Sequence, residues 1–123
     1  MPKNLVAIVS VMLIVLLAGA ACQSKPAATG AAATLAVVTT EFKFTPDTLS
    51  VHVGERVQVT LDNTKGTLKH DMRQPELNIH AEVEAGQKTT FEFTPGKAGT
   101  FDLICDVPGH KDAGMVGKLI VQP

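Results

Sequence analysis

Apolar and polar residues alternate along most of the chain from Leu35 onward. A period of two is the pattern of a β-strand that buries one face, and helical spacing is absent from this part. The apolar members of successive runs are Leu49, Val51 and Val53; Val57, Val59 and Leu61; Ile79, Ala81 and Val83; Phe91 and Phe93; Phe101, Leu103 and Cys105; and Met115, Leu119 and Val121. Turn-forming residues separate the runs about every ten positions, so the pattern predicts an all-β fold and favours a β-sandwich.

The first residues show a different pattern, which is typical of an export signal. Lys3 supplies a positive start, residues 5–17 are apolar apart from one serine, and small residues at 18–21 precede Cys22. Cys22 resembles the acceptor cysteine of a bacterial lipoprotein signal, whose thiol receives a lipid. We therefore predict a signal peptide of the lipoprotein type over residues 1–21, with lipidation at Cys22.

Two other interpretations of this segment stay open. Lipoprotein signals usually carry Leu three residues before the cysteine, where this chain has Gly19. Cleavage after Ala20 by an ordinary signal peptidase would then remove the segment without adding a lipid. The segment could also stay as an uncleaved anchor, although it is short for a span of roughly 20 residues. Each interpretation places the folded part outside the cytoplasm, and a lipid at Cys22 would anchor it to the outer face of the cell membrane.

The residues after the signal divide into a linker and one domain. Residues 22–33 contain Ala, Ser, Pro and Gly but no large apolar side chain, as flexible linkers do. Residues 34–123 are enough for a single small domain. The whole chain has 11 basic and 12 acidic side chains and a net charge of −1, so it offers no basic field to a nucleic acid. We predict no nucleic-acid partner.

The chain has two cysteines, and if Cys22 is lipidated or removed, Cys105 is the only thiol of the folded domain. A lone buried cysteine is often a small apolar residue. Here, however, His110 and Met115 follow Cys105 with four residues between each successive pair. One tight loop thus holds a thiolate, an imidazole and a thioether. Together with a second histidine, these groups are the ligands of a blue-copper centre.

Strand parity separates the four histidines. His52 and His80 fall on the polar faces of their strands, and we expect both side chains in solvent. His70 follows a polar loop and shares a face with Met72, which we expect in the core. This leaves His70 as the second histidine ligand beside His110.

Three segments of the chain resemble the cupredoxins, with the auracyanin-like and plastocyanin-like members most similar. The segments are FDLICDVPGHKDAGMVGKLIV, VHVGERVQVTLDN and KHD, all within residues 35–123. The resemblance implies a Greek-key sandwich that carries electrons on one mononuclear copper ion at one end. Carried over to this chain, the trigonal plane of ligands is His70, Cys105 and His110. Met115 is the long axial ligand.

One position departs from the family pattern. Many members have Asn after the first histidine, whereas this chain has Asp71, and Cys105 is followed by Asp106. Two ionised carboxylates cannot share the side-chain hydrogen bond that often joins the two loops in the family, because neither has a proton to donate. The sequence leaves open how the site is braced.

These features predict a carrier of single electrons rather than an enzyme, with no small-molecule substrate. Its partners would be redox proteins, including membrane complexes, and we expect a monomer. His110 should expose one ring edge to solvent, beside an apolar patch of Val107, Pro108 and Ala113. Electrons would enter and leave at this edge.

The main alternative is a periplasmic copper chaperone or copper-storage protein, because the same soft ligands suit Cu(I). Chaperones tend to expose clusters of Met or Cys, whereas the mature domain has only Met72, Met115 and one cysteine. A binuclear copper centre needs two cysteines in the loop 105–115, which has one. Zinc prefers four nitrogen or thiolate donors, for which a thioether is a poor substitute. A catalytic copper needs an open coordination position or a second copper, and no further pair of histidines supplies one.

Overall fold

The computed structural model describes residue 30 and residues 32–123. The predicted signal peptide over residues 1–21 and the predicted lipidation site at Cys22 lie outside the described residues, as does most of the predicted linker over 22–33. The described part is built from β-strands and one short 3-10 turn. No helical segment in this part has the length and hydropathy of a membrane span.

Nine strands form in the described part of the chain, and they follow the predicted alternation. They are β1 (Ala33–Thr40), β2 (Lys43–Thr45), β3 (Thr48–His52), β4 (Val57–Asp62), β5 (His70–Gln74), β6 (Ile79–Val83), β7 (Lys88–Phe93), β8 (Gly99–Ile104) and β9 (Val116–Gln122). The 3-10 turn at Pro75–Leu77 connects β5 to β6 and ends at Asn78, which has the left-handed conformation that Asn tolerates well. β1 starts at the last residue of the predicted linker.

The strands form two sheets. One sheet has the order β2-β1-β4-β7, and the other has the order β3-β9-β8-β5-β6. β1 is parallel to β4, and β3 is parallel to β9, while the other pairs are antiparallel. Parallel neighbours cannot be joined by a tight hairpin, so the chain crosses between the sheets. The predicted all-β Greek-key sandwich is confirmed.

The apolar faces of the two sheets pack on each other and form one core. Its largest fully buried side chains are Phe44, Leu61, Met72, Leu103, Met115 and Leu119. The predicted buried positions are confirmed in most strands, but the prediction for Val53 is wrong. Val53 is 40% exposed because β3 ends one residue earlier and Val53 lies in the following turn. Phe91 and Phe93 are half-buried on β7, which is an edge strand.

Four connections meet at one end of the sandwich. They are residues 41–42, 63–69, 84–87 and 105–115. The buried side chain of Asn63 fastens two of them, because its amide nitrogen donates to the carbonyl oxygens of Leu68 at 2.8 Å and Glu84 at 3.1 Å. The predicted metal ligands lie in or next to these connections, so the same bonds that close this end of the sandwich also position the candidate site.

Gly117 in β9 leaves no space for a side chain. A Cβ atom at this position would lie 2.6 Å from the carbonyl oxygen of Asp47, and that oxygen accepts the N–H of Lys118 at 2.7 Å. Gly117→Ala should therefore lower the free energy of unfolding by ~1–3 kcal/mol, the usual cost of overpacking. Gly96→Ala is the matched control, because a Cβ atom there meets nothing within 4 Å. It should change stability by less than ~0.5 kcal/mol, and equal stabilities of the two variants in urea denaturation would contradict the contact.

Candidate metal centre

Three of the predicted ligands converge at this end of the sandwich. Nδ1 of His70 lies 3.1 Å from Nδ1 of His110, and Sγ of Cys105 lies 3.5 Å from the same His110 nitrogen. The three donor atoms lie within 4.8 Å of one another, and all three residues are buried. Two donors bonded to one ion at about 2.0–2.3 Å, the bond lengths of protein-bound zinc, lie at most ~4.5 Å apart. The two measured distances therefore fit a shared ion.

His70 is the first residue of β5 and shares its inward face with the buried Met72, as the sequence predicts. Burial, followed by the charge of the neighbouring His110, lowers the pKa of the His70 imidazole below its ordinary value. The ring is therefore neutral at pH 7, which is the form that binds a metal. Its Nε2 atom is buried and has no hydrogen-bond partner among the described residues.

Cys105 lies where the ladder between β5 and β8 ends. The register pair that joins these strands is Arg73 with Ile104, and beyond it the two backbones bind side chains instead of each other. The N–H of Asp71 donates to Sγ of Cys105 at 3.4 Å. The N–H of Asp106 donates to Oδ1 of Asp71 at 2.6 Å. The opening of the ladder thus places the sulfur between the strands and keeps the strands joined.

The brace that the sequence leaves open is the bond from the Asp106 N–H to the buried carboxylate of Asp71. The two side chains do not bond to each other, and each has another partner. Asp106 forms an ion pair with Arg73, and Oδ2 of Asp71 lies 3.7 Å from Nε2 of His80. A hydrogen bond to a carboxylate is stronger than one between neutral groups. The carboxylate of Asp71 can therefore join the start of β5 to the segment after β8 through the backbone N–H of Asp106.

The loop 105–115 is closed by backbone hydrogen bonds between its ligand residues. The N–H of Cys105 donates to the carbonyl of Met115 at 3.2 Å, and the N–H of Met115 donates to the carbonyl of His110 at 3.0 Å. Gly114 has a φ of 99°, which only glycine adopts readily, and this residue turns the chain back toward β9. Met115 is fully buried, and its backbone is hydrogen-bonded to those of Cys105 and His110.

The chemistry of the donors fits one copper ion. Burial raises the pKa of the Cys105 thiol above its ordinary value of 9.0, so without a metal the thiol is protonated at pH 7. A metal that binds here must displace this proton. Thiolate and thioether sulfur suit Cu(I), and imidazole nitrogen also suits Cu(II). Zinc, by contrast, gains little from a thioether.

The prediction for the other two histidines is confirmed. The side chain of His52 is 61% exposed and that of His80 is 56% exposed, as their strand parity predicts. His110 is predicted to expose one ring edge, and with 6% of the residue exposed only a small part of the ring can reach solvent. Phe42 packs against the ring, with a distance of 5.1 Å between the ring centroids.

The predicted apolar patch around His110 is present only in part. Pro108 and Ala113 are exposed, and Val107 is half-buried and packs against the core. Leu68, on the neighbouring connection, is also exposed. The apolar surface at this end therefore includes residues from more than the loop 105–115.

Three further residues lie near the site, and no motif in the sequence marks them. Oε1 of Glu41 accepts hydrogen bonds from the N–H of Thr67 at 2.8 Å and from its hydroxyl at 2.7 Å. The backbone N–H of Thr67 is the main cause that lowers the pKa of Glu41 to about 2. Phe42 follows Glu41 in the turn between β1 and β2. The only signal in the sequence is a large apolar residue between the charged Glu41 and Lys43.

Comparison with known sequences gives a family and named relatives. Residues 10–121 match the cupredoxin-like domain family. The chain is 31% identical over 106 residues to the copper-resistant cuproprotein CopI of Rubrivivax gelatinosus. The aligned region covers 70% of this chain but only 64% of that protein. The protein of the same name from Pseudomonas aeruginosa is 25% identical, with 93% of this chain and 95% of that protein covered.

Comparison with solved structures gives the same fold. The structure of dithionite-reduced auracyanin from the photosynthetic bacterium Roseiflexus castenholzii is similar, with a TM-score of 0.64 and 19% sequence identity. The likeness covers 76% of this chain and all of the auracyanin chain. At this identity it concerns the fold alone.

Without a bound metal, the protein should lose stability as the pH rises above about 9. The pKa of Cys105 is raised in the folded state, so the unfolded chain loses the thiol proton first. The contribution of this group is complete below 9.0 and is lost as the pH rises through the folded-state pKa. Denaturant titrations in reductant between about pH 8 and pH 10 measure the effect. Cys105→Ala lacks the thiol and should show a shallower decline; an identical decline in both proteins would contradict the argument.

Proposed function

The chain belongs to the cupredoxin-like family, and we propose that it carries single electrons on one copper ion. The ligands in this proposal are His70, Cys105, His110 and Met115. A bound copper ion supplies a one-electron couple between Cu(I) and Cu(II). The observation that supports the proposal most directly is the convergence of two imidazole nitrogens and one thiol sulfur in a buried cluster.

The way in which the donors are held suits electron transfer. An ion that only gains or loses an electron benefits from donors that keep their positions in both of its oxidation states. His70 is the first residue of β5, Cys105 directly follows β8, and the carboxylate of Asp71 joins the two segments. The donors are thus carried by strands and a hydrogen-bonded loop instead of mobile arms. Their burial also keeps water away from the ion, which influences its potential.

Met115 supplies the fourth donor in this proposal. Its full burial and its backbone hydrogen bonds to Cys105 and His110 place it where the loop closes. A thioether binds copper weakly, which suits a long axial position. The competing role for Met115 is packing beside Leu119 and Val121 at the start of β9, since all three residues belong to the core.

We propose that the protein acts outside the cytoplasm, exported by the signal over residues 1–21 and anchored by a lipid at Cys22. Its partners are redox proteins, including membrane complexes, and it works as a monomer without a small-molecule substrate. It is a carrier and not an enzyme in this proposal. In support of the carrier role, His70, Cys105 and His110 form a buried cluster with metal-binding geometry.

A copper chaperone or copper-storage protein is the second candidate. It is favoured by the names of the two relatives, which are both copper-resistant cuproproteins. The same sulfur and nitrogen donors would hold Cu(I) in such a protein. The burial of His70, Cys105 and His110 favours the carrier, because a chaperone must present its ligands to an acceptor protein.

The colour of the copper-loaded protein tests the proposal. A thiolate bound to Cu(II) gives intense blue or green absorption, so Cys105→Ser should fold but bind Cu(II) without strong colour. His52→Ala and His80→Ala are matched controls that should keep the spectrum, because both side chains are exposed. Visible and electron-spin spectra measure the result. A colourless unmutated protein, or a strongly coloured serine variant, would overturn the proposal.

The reduction potential tests the role of Met115. Met115→Leu should keep the colour and raise the potential, because the loss of a donor leaves Cu(II) less well compensated than Cu(I). Met115→Gln offers a harder oxygen donor and should lower the potential. Voltammetry measures both shifts, and a tenfold change in the equilibrium constant corresponds to ~59 mV for a one-electron couple. If neither variant departs from the unmutated potential, Met115 serves only the core.

A further inference from the structure

Phe42 lies against the ring of His110. Their ring centroids are 5.1 Å apart and their planes are inclined at 89°, which is an edge-to-face arrangement that aromatic rings favour. His110 is only 6% exposed, whereas Phe42 is 40% exposed. The phenyl ring therefore has one side on the imidazole and another side in solvent.

The backbone of Phe42 is held in an unusual conformation by its neighbour. Its φ of 60° lies in the left-handed region, which is unfavourable for a bulky side chain. The carboxylate of Glu41 accepts two hydrogen bonds from Thr67, in the connection between β4 and β5. These bonds fix the turn between β1 and β2 at Glu41, the residue directly before Phe42. Strained residues that the surrounding structure holds in place are concentrated at functional sites.

Core packing does not explain the position of Phe42. Phe44, two residues further along, is 1% exposed and belongs to the core, whereas Phe42 does not. Exposed turns usually contain small or polar residues, because these satisfy the backbone and tolerate left-handed conformations. A phenyl ring in this turn is accounted for by its contact with His110.

We propose that Phe42 is a cap on His110, a positioning residue that orients the imidazole and shields it from water and small reagents. The shielding follows from the contacts described above, and its meaning for electron transfer rests on the proposed function. In that function, a redox partner meets the phenyl ring of Phe42 before it meets the imidazole. Small solutes are kept from the same copper ligand.

Chemical modification of the histidines tests the cap without any metal. Diethyl pyrocarbonate acylates neutral imidazoles that it can reach, and peptide mass spectrometry gives the rate at each residue. In the unmutated full chain, His52 and His80 should react fast and His110 slowly. Phe42→Ala should raise the rate at His110 by about two- to tenfold, the range that corresponds to the loss of one edge-to-face contact. Phe42→Tyr keeps a ring and should retain the slow rate.

Two matched controls and one internal reference accompany this experiment. Val53→Ala and Leu68→Ala each remove an apolar side chain that is 40% exposed, as Phe42 is, and neither should change the rate at His110. The N–H of Val53 donates to the carbonyl of Gln122, at the end of β9 that is far from the site. Leu68 lies on the connection just before β5. His70 is fully buried and reports on the fold, so it should stay unreactive in Phe42→Ala. An unchanged rate at His110, or a simultaneous rise at His70, would overturn the cap.

The pair of hydrogen bonds from Thr67 to the carboxylate of Glu41 gives a second variant. Glu41→Ala removes both hydrogen bonds and should raise the rate at His110, although less than Phe42→Ala, because the phenyl ring is still present. Colour with Cu(II) keeps the two proposals distinguishable. A coloured protein without any Phe42 effect refutes the cap alone. A colourless protein in which Phe42→Ala still exposes His110 supports the shield and refutes the copper function.

Discussion

The candidate metal centre depends on the hydrogen bond between the N–H of Asp106 and the carboxylate of Asp71. At this point the ladder between β5 and β8 has ended, and the freed N–H groups serve the Asp71 side chain and the sulfur of Cys105. A continued ladder would bring the two backbones together and leave no room for donors between them. The strands must separate to make the site, and the Asp71 bond limits how far they do so.

Burial acts on the two kinds of donor in opposite directions. It lowers the pKa of the His70 imidazole and raises the pKa of the Cys105 thiol. Both shifts have the same physical origin, because a buried environment disfavours the charged form of each group. Without a metal, the imidazole and the thiol are therefore both neutral at pH 7, so neither donor adds a charge to the buried site. The same burial makes metal binding depend on pH, since the thiol proton must leave.

Local patterns in the sequence predict the strands and the residues that meet at the site. Parity, for example, separates the exposed His80 from the buried His70. The contact of Phe42 with His110 could not be predicted, because it depends on how connections from both sheets meet at one end. The error at Val53 has a local cause, since alternation does not mark the residue at which a strand ends. The bracing of the site was also out of reach, because it uses a backbone N–H that every residue except proline has.

The spacing of the donors along the chain sets the order in which a site of this kind can assemble. Cys105 and His110 are 5 positions apart, whereas His70 and His110 are 40 positions apart. Closing the longer segment costs ~2 kcal/mol more in chain entropy than closing the shorter one. In an unfolded chain the loop donors meet easily, but His70 joins them only when β5 has docked beside β8. A complete set of donors is therefore a sign that the sandwich has closed, and a partly folded chain must bind its metal more weakly.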